Sequence, residues 1–421
     1  MKRLKFSISR AEYADLLSTL QRHNYQLTQL TKQSLDLEPF RTEQKSRSCP
    51  DFKAFQRHAV SVYTTLRSSW GCLCQGHEVN LRLEARTKIL PDSNMEDHPF
   101  RVILSYSSGN NASPSRASIG YWKEAEIRAM NAESVCSTPR PMVSCAPSTR
   151  RVRFQTQSPP PVSGTDTLSR PTLSQIQSLC NDIAKLQTLE EECIGYLEDE
   201  TKRKFGIYLL GLPVMCSDQW TAFSLKDVLS QHPKLGSALT QNDKLRLAVD
   251  LASSVLQLYN TPWLKDNWGK DDVFFIHRPW AKSIYDHPFV SRRFSPCQPT
   301  AVAPACPSAS KVCRIIRNET LFTLGVLLIE LWYGKSIEEL QIPADRDCEG
   351  TPGVVWCTAD RLVDEIEFQA GKRYSEAVRR CVRCDFDRKD LSLDSESFQQ
   401  AMYNGVVTLL ERTWEQFNRL D

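Results

Sequence analysis

The sequence predicts an α+β fold in which short strands come first and a mainly helical half follows. Between residues 77 and 106, apolar residues alternate with polar ones or cluster in short runs, as is typical of β-strands. In the later half of the 421-residue chain they recur every three or four positions, as is typical of helices. The stretch 319–334 is apolar on nearly every side, which indicates a helix buried within the fold.

The composition is that of a globular protein, with 41% hydrophobic and 24% charged residues. The 53 basic and 50 acidic side chains leave a net charge of +3, too small to indicate a nucleic-acid or membrane-surface partner. The 15 cysteines are scattered, unlike the framework of a small secreted domain. No apolar run approaches the roughly 20 residues of a membrane helix. We therefore expect a cytoplasmic protein with no membrane span.

The N-terminal segment, residues 1–76, begins with a pattern that predicts an amphipathic helix. Over residues 11–33, apolar side chains lie three and four positions apart, and His23 and Asn24 interrupt them. The pattern is shorter than the repeat of a confident coiled coil. Packing on the core of the chain is therefore favoured over a dimer seam. The apolar residues are Tyr13, Leu16, Leu20, Leu27 and Leu30.

A linker divides the predicted small lobe. Residues 77–133 hold the first runs of strand character. Residues 134–172 are rich in Pro, Ser and Thr, which indicates a disordered, solvated linker, with "VRFQ" (152–155) as a short strand inside it. Residues 173–210 then predict a helix, "TLSQIQSLCNDIAKLQ", followed by a hairpin, "GYLEDETKRKFGIYLL".

Residues 211–421 predict a helical lobe. Thr240 and Asp243 fit a capping box at the start of "DKLRLAVDLASSVLQLY". Gly334 suits the C-terminal end of the buried helix, because glycine readily adopts the left-handed conformation found there. Residues 291–312 hold four prolines and little periodicity, which indicates a loop.

The stretch that follows the first long helix of this lobe, "LYNTPWLKDNWGKDDVFFI" (258–276), resembles a protein-kinase catalytic loop in length and spacing. Lys265, Asp266 and Asn267 fall on the kinase His-Arg-Asp, and Asp272 falls on the metal-binding Asn. The stretch "TLFTLGVLLIELWYGK" (320–335) is similar to the buried central helix of a kinase. The resemblance covers about 195–421 and implies a kinase-like fold, with a reduced or divergent β-rich N-lobe and a helical C-lobe.

The residues that carry kinase chemistry are missing. Asn267 is an amide and cannot accept a proton at the position of the catalytic Asp. The sequence has neither Asp-Phe-Gly after the loop nor a Gly-x-Gly-x-x-Gly motif, and Lys88 is only a weak candidate for the phosphate-binding lysine. We expect a catalytically inactive domain with no cofactor. The alternatives are an atypical active kinase or nucleotide-binding enzyme that uses Asp272, and a purely helical structural adaptor.

Several further motifs resemble one fungal family along nearly the whole chain. They include "RLKFSISRAEY", "GYLEDE", "YNTPWL", "FVSRRF" and "YSEAVRRCVRCDF". The family is one of uncharacterised proteins known as domain of unknown function 7580. Its members commonly carry a preceding helical domain that is linked to incompatibility and regulated cell death. The resemblance implies a kinase-like interaction or signalling module with a protein partner.

Cysteine and histidine residues offer one further candidate site. Cys72, Cys74 and His77 are close in sequence and could bind zinc together with a second pair, Cys381 and Cys384. The two groups lack the spacing of a zinc finger. Buried packing is the simpler interpretation of the second pair, and we expect no metal.

Tryptophan, histidine and serine residues lie in and near the stretch 258–276, which is called the degenerate loop below. Of the tryptophans, Trp263 is expected in the core, whereas Trp268 fits a core position and an exposed interaction surface equally well. A hydrolase that uses His277, His287 and Ser283 is disfavoured, because the sequence has no Gly-x-Ser-x-Gly elbow.

Overall fold

The computed structural model forms two units, Met1–Pro50 and Asp51–Asp421. In the first unit, residues 17–29 form helix α1. Its side chains Leu17, Leu20 and Leu27 are each more than half exposed, so the described part of this unit buries no apolar stripe. The structure describes residues 13, 17–29, 31–32, 49–72, 77–86, 98–107, 120–130, 173–185, 193–210, 220–235, 238–278, 283–294, 316–346 and 353–419.

The described residues of the second unit form one antiparallel sheet of eight strands. Their order in the sheet is β4-β5-β3-β2-β1-β8-β7-β6, so the strands from the two halves of the chain meet where β1 pairs with β8. The strands are β1 (His77–Arg82), β2 (Phe100–Ser107), β3 (Gly120–Met130), β4 (Cys193–Glu198), β5 (Lys204–Leu209), β6 (Thr221–Ser224), β7 (Val273–His277) and β8 (Pro288–Phe294).

Several helices begin at a polar residue whose side chain accepts a hydrogen bond from a backbone amide of the first turn. At the start of α5 (Gln241–Leu258), the Thr240 hydroxyl accepts from the Asp243 amide at 3.2 Å, and the Asp243 carboxylate accepts from the Thr240 amide at 3.1 Å. The predicted capping box is therefore confirmed. The helices of this unit are α2 (Phe52–Ser68), α3 (Leu179–Lys185), α4 (Leu225–Leu229), α5 (Gln241–Leu258), α6 (Glu319–Tyr333), α7 (Pro343–Arg346), α8 (Val354–Arg383), α9 (Glu396–Met402) and α10 (Thr408–Asn418).

Helix α6 is the central element of the helical half. Asn318 caps its first turn, and Gly334, at φ 64°, ends it in the left-handed conformation. Gly325 lets α6 approach α8 closely, because an added Cβ would lie 2.7 Å from Val382 Cγ2. The predicted buried helix and its glycine end are confirmed.

Helix α2 lies against the sheet and against α5. The Phe55 and Phe100 rings are 5.0 Å apart, and His58 stacks on the same Phe100 at 5.1 Å. The Gln56 amide donates to the Leu256 carbonyl at 2.8 Å, which joins α2 to α5. These contacts place α2 in the core between the sheet and the helical half.

The α+β class is confirmed, and the strands ahead of residue 210 argue against a purely helical adaptor. Two local predictions were wrong. Residues 291–294 belong to β8 rather than to a loop, because they pair with β1. The helix predicted over "TLSQIQSLCNDIAKLQ" begins only at Leu179, since Gln175 forms a bridge with Tyr196. The predicted linker 134–172 lies outside the described residues.

Candidate functional site

The degenerate loop connects α5 to β7 and folds into tight turns. The Trp268 amide donates to the Lys265 carbonyl at 3.2 Å, and the Asp272 amide donates to the Gly269 carbonyl at 2.9 Å. The side chains of Asp266 and Asn267 are exposed. The residue that the sequence resemblance sets against the kinase base, Asn267, therefore presents an amide to solvent.

The carboxylate of Asp272, which the sequence resemblance sets against the kinase metal ligand, has two partners in the loop. One oxygen pairs with the ammonium of Lys265. The other accepts a hydrogen bond of 3.1 Å from the Gly269 amide. A magnesium ion at this carboxylate would compete with the ammonium of Lys265, although oxygen ligands of this kind are those that magnesium prefers.

The same loop is fastened to the buried helix α6. Lys270 donates to Glu330 at 2.7 Å and to Glu338 at 2.6 Å, and the Ile337 amide donates to Glu330 at 2.7 Å. Burial raises the pKa of Glu330, while its hydrogen bond from Lys270 opposes that shift. Lys270 therefore compensates a carboxylate that would otherwise be buried without a counter-charge.

The tryptophans around the loop are structural. Trp263 is fully buried, and its indole nitrogen donates to the Ala59 carbonyl at 2.8 Å. The indole of Trp268 is only 4% exposed. The interpretation of Trp268 as an exposed interaction surface is therefore wrong, because its ring has no face free for a partner. Trp280 lies outside the described residues.

Strand β8 follows the loop and β7, and it is held by contacts on two sides. Six consecutive residue pairs join it to β1, from His77 opposite Phe294 to Arg82 opposite Phe289. Arg292 also donates to the carbonyl oxygens of Pro262 and Trp263, at 2.6 Å each. The strand is thus fixed both to the sheet and to the start of the loop.

The charges of four arginines act on His287, and these arginines with their acidic partners form a charged group. Burial lowers the pKa of His287 to about 3, and the nearby arginines add to that shift. A histidine with so low a pKa is neutral and weakly basic at neutral pH, so it makes a poor general base. Ser283 accepts from the Tyr285 amide at 3.1 Å. The arginines around His287 are Arg82, Arg101, Arg246 and Arg278.

Acidic partners hold these arginines in place. Arg278 pairs with Glu124 at 3.1 Å, and Arg101 pairs with Glu126 at 2.9 Å. Deeper in the fold, Asp250 accepts from the Ala85 amide at 2.8 Å, and burial raises its pKa to about 7. Sequence reasoning missed this group, because its members come from strands and loops far apart in the chain.

The cysteine candidates separate into two groups. The structure brings Cys72 close to His77, while Cys74 lies outside the described residues. Cys381 and Cys384 are buried in the helical half, and burial raises the pKa of the Cys384 thiol to about 11. Packing is the interpretation that this burial supports for the second pair. Lys88 lies outside the described residues.

Comparisons with known proteins give one match. The model of the family described as "Domain of unknown function (DUF7580)" matches residues 51–417. No curated protein and no solved structure matches the chain. Among its described helices, none combines the length and apolar character needed to cross a membrane.

Proposed function

We propose that this chain, which belongs to the DUF7580 family, is a kinase-like scaffold that transfers no phosphate and binds a partner protein. The strand and helix order supports this proposal. Kinases carry the phosphate-binding lysine on the third strand of the small lobe and its acidic partner on the following helix. Here β3, the third described strand, carries Lys123, and the next described helix, α3, carries Asp182. This order of elements supports the kinase-like part of the proposal.

The observation that carries the proposal is the pairing of β8 with β1. Kinases close two lobes around their nucleotide by hinge motion. In this protein the strand after the degenerate loop continues the sheet of the small lobe over six residue pairs. Opening a cleft at this position would break a ladder of backbone hydrogen bonds inside a sheet. The arrangement favours a fixed platform over an enzyme that opens and closes.

The chemistry of the loop supports the same conclusion. Asn267 supplies no base, and the loss of positioned general-base help costs about 10²- to 10⁴-fold in rate. The carboxylate of Asp272 pairs with Lys265 and accepts a hydrogen bond from the Gly269 amide. The loop keeps two contacts that hold it to the rest of the fold. Lys270 pairs with Glu330, and the indole nitrogen of Trp263 donates to the Ala59 carbonyl.

A binding role follows because a fold kept without its reaction still presents surfaces to other proteins. The motif resemblance described above extends the proposal to a fungal signalling protein, in incompatibility or regulated cell death. The partner is a protein, and the surface of the second unit is where we expect it to bind.

A second candidate function is nucleotide binding without transfer. The observation that favours it is the group of arginines whose charges act on His287, because the guanidinium group of an arginine can donate two parallel hydrogen bonds to a phosphate. In the described structure, however, Arg278 and Arg101 already have acidic partners.

Thermal melting of the full chain, with magnesium alone and with magnesium and ATP, tests the proposal. We expect no ATP-dependent increase in Tm and no phosphate transfer to added protein substrates. Asp272→Ala is the informative variant, and Asp271→Ala is its matched control, because the neighbouring Asp271 is exposed and pairs with Lys226. A stabilisation by ATP that Asp272→Ala abolishes and Asp271→Ala keeps would overturn the proposal in favour of an active nucleotide site.

A further inference from the structure

Three side chains from separate segments converge at one edge of α3. Cys72 follows α2, His77 begins β1, and Cys180 lies in the first turn of α3. Their ligand atoms all lie within 4.8 Å of one another, and Cys72 Sγ is 2.7 Å from His77 Nε2. Among the described residues, this is the group of histidine, cysteine and acidic side chains with the geometry of a metal site.

The histidine is held so that one nitrogen faces the sulfur atoms. Its Nδ1 lies 3.4 Å from the Ser105 carbonyl, and its ring stacks on Trp70, with centroids 4.0 Å apart and planes 9° apart. A histidine that donates Nδ1–H to a carbonyl keeps the Nε2 lone pair for a metal, which is the usual arrangement of a ligand histidine. The contacts with Ser105 and Trp70 therefore orient His77 toward Cys72.

The two cysteines are brought together by backbone contacts. The Leu179 amide donates to the Ser69 carbonyl at 2.9 Å, which fixes the start of α3 against the loop after α2. Gly71 permits this approach, because an added Cβ would lie 3.2 Å from the Gln177 carbonyl oxygen. Cys180 is buried and Cys72 is half-buried, so the site is accessible from one side.

We propose that Cys72, His77 and Cys180 form a zinc site with three protein ligands. Thiolate sulfur and neutral imidazole nitrogen are the ligands that zinc prefers, at about 2.3 Å and 2.0–2.1 Å. Tetrahedral binding places a sulfur and a nitrogen ligand about 3.5 Å apart. Cys72 and His77 therefore move slightly apart when the ion enters. A water molecule or an added ligand completes the fourth position.

A thiol–imidazole pair can also act as a nucleophile, as in cysteine hydrolases. The position of Cys180 argues for a metal instead, since a second thiol within 4.8 Å contributes nothing to such a pair. The zinc ion would join the loop after α2, the first residue of β1 and helix α3. Its binding free energy would then stabilise the folded small lobe.

The test uses the purified full chain, reduced and stripped of metal, titrated with Zn²⁺ and separately with Co²⁺. We expect one equivalent of either ion, an increase in Tm, and sulfur-to-cobalt charge-transfer absorption. Cys72→Ser and Cys180→Ser should each weaken binding by more than about 100-fold, because the loss of a hydrogen-bond partner of a ligand alone costs up to about 100-fold. Cys193→Ser is the matched control, because Cys193 is half-buried on β4 and bonds to the Gly195 carbonyl. It should bind zinc as the unmodified chain does.

Two results would overturn the site. One is a cobalt spectrum without charge-transfer absorption in a chain whose circular dichroism shows that it is folded. The other is alkylation of Cys72 by iodoacetamide at a rate that zinc does not lower, which would indicate a nucleophilic pair. Since alkylation is measured on the unmodified chain, it remains informative if a serine variant fails to fold.

Discussion

The ammonium of Lys270, in the degenerate loop, donates a hydrogen bond of 2.7 Å to the carboxylate of Glu330, in the buried helix α6. The Glu330 side chain is only 1% exposed, whereas the second partner of Lys270, Glu338, is 59% exposed. One cation thus serves a buried and an exposed carboxylate. The pair with the buried Glu330 holds the loop in its conformation, because moving Lys270 away would leave this carboxylate without a counter-charge.

We expect Lys270→Met to lower the free energy of unfolding by about 3–5 kcal/mol, because it leaves Glu330 buried without a counter-charge. Glu338→Gln, which removes the exposed partner, should cost less than about 1 kcal/mol. Urea unfolding of both variants measures the difference. Adding Glu330→Gln to Lys270→Met should recover much of the loss, and equal small effects of both single variants would contradict the assignment.

Elements with local signals could be predicted from the sequence, and elements that depend on distant partners could not. The capping box of Thr240 and Asp243 and the left-handed Gly334 are confirmed, because each depends on residues within one turn. Strand β3 escaped notice because its buried Glu126 breaks the apolar alternation. That carboxylate is tolerated because Arg101 on β2 and Arg128 on β3 itself both pair with it.

For the candidate sites too, features set by local sequence could be predicted and features set by distant partners could not. The loop residues that the resemblance sets against kinase positions were chosen by spacing alone, whereas the pairing of Asp272 with Lys265 could be seen only in the folded turn. Cys180 could not be assigned to the candidate metal site from the sequence, because only the folded chain places α3 beside Cys72. Trp268 could not be assigned from its neighbours, since burial depends on what packs over it.

Asp250 gives a second prediction, on pH. Its ordinary pKa of 3.8 is raised to about 7 in the fold, mainly by burial. Between these values the unfolded chain releases the proton while the folded chain keeps it. Stability from this group is therefore fully present below about pH 4 and is lost as pH rises toward 7, by about 1.4 kcal/mol per pH unit.

Asp250→Asn should remove that loss while the amide oxygen can still accept from Ala85. Relative to the unmodified chain, the variant should gain on the order of 4 kcal/mol between pH 4 and pH 7. Urea unfolding across this range measures the change. Asp271→Asn removes a carboxylate at the surface and is the control. A constant difference between Asp250→Asn and the unmodified chain across the range would show that Asp250 does not titrate there.

Gly325 tests the packing of α6 on α8. An added Cβ would lie 2.7 Å from Val382 Cγ2 and 3.0 Å from Cys381 Cβ. Gly325→Ala should therefore cost about 1–3 kcal/mol through overpacking, although alanine is the better helix former by about 1 kcal/mol. Gly269→Ala, where a Cβ meets nothing within 4 Å, should change thermal stability little. A stabilised Gly325→Ala would mean that the two helices separate easily.

The pairing of β1 with β8 predicts how the second unit opens. These strands lie inside the sheet, whereas β4 lies at its edge. Amides that open only with the whole fold exchange most slowly. We therefore expect segments 77–82 and 289–294 to exchange hydrogen as slowly as α6, and β4 to exchange faster.

Hydrogen–deuterium exchange with mass spectrometry, with and without magnesium and ATP, measures this order. A hinged kinase would show β1 and β8 opening together, faster than α6, and becoming protected when nucleotide binds. That result would contradict a fixed platform and would support the nucleotide-binding candidate. Equal slow exchange of β1, β8 and α6, unchanged by ATP, would mean that the two halves of the sheet open only when the whole unit unfolds.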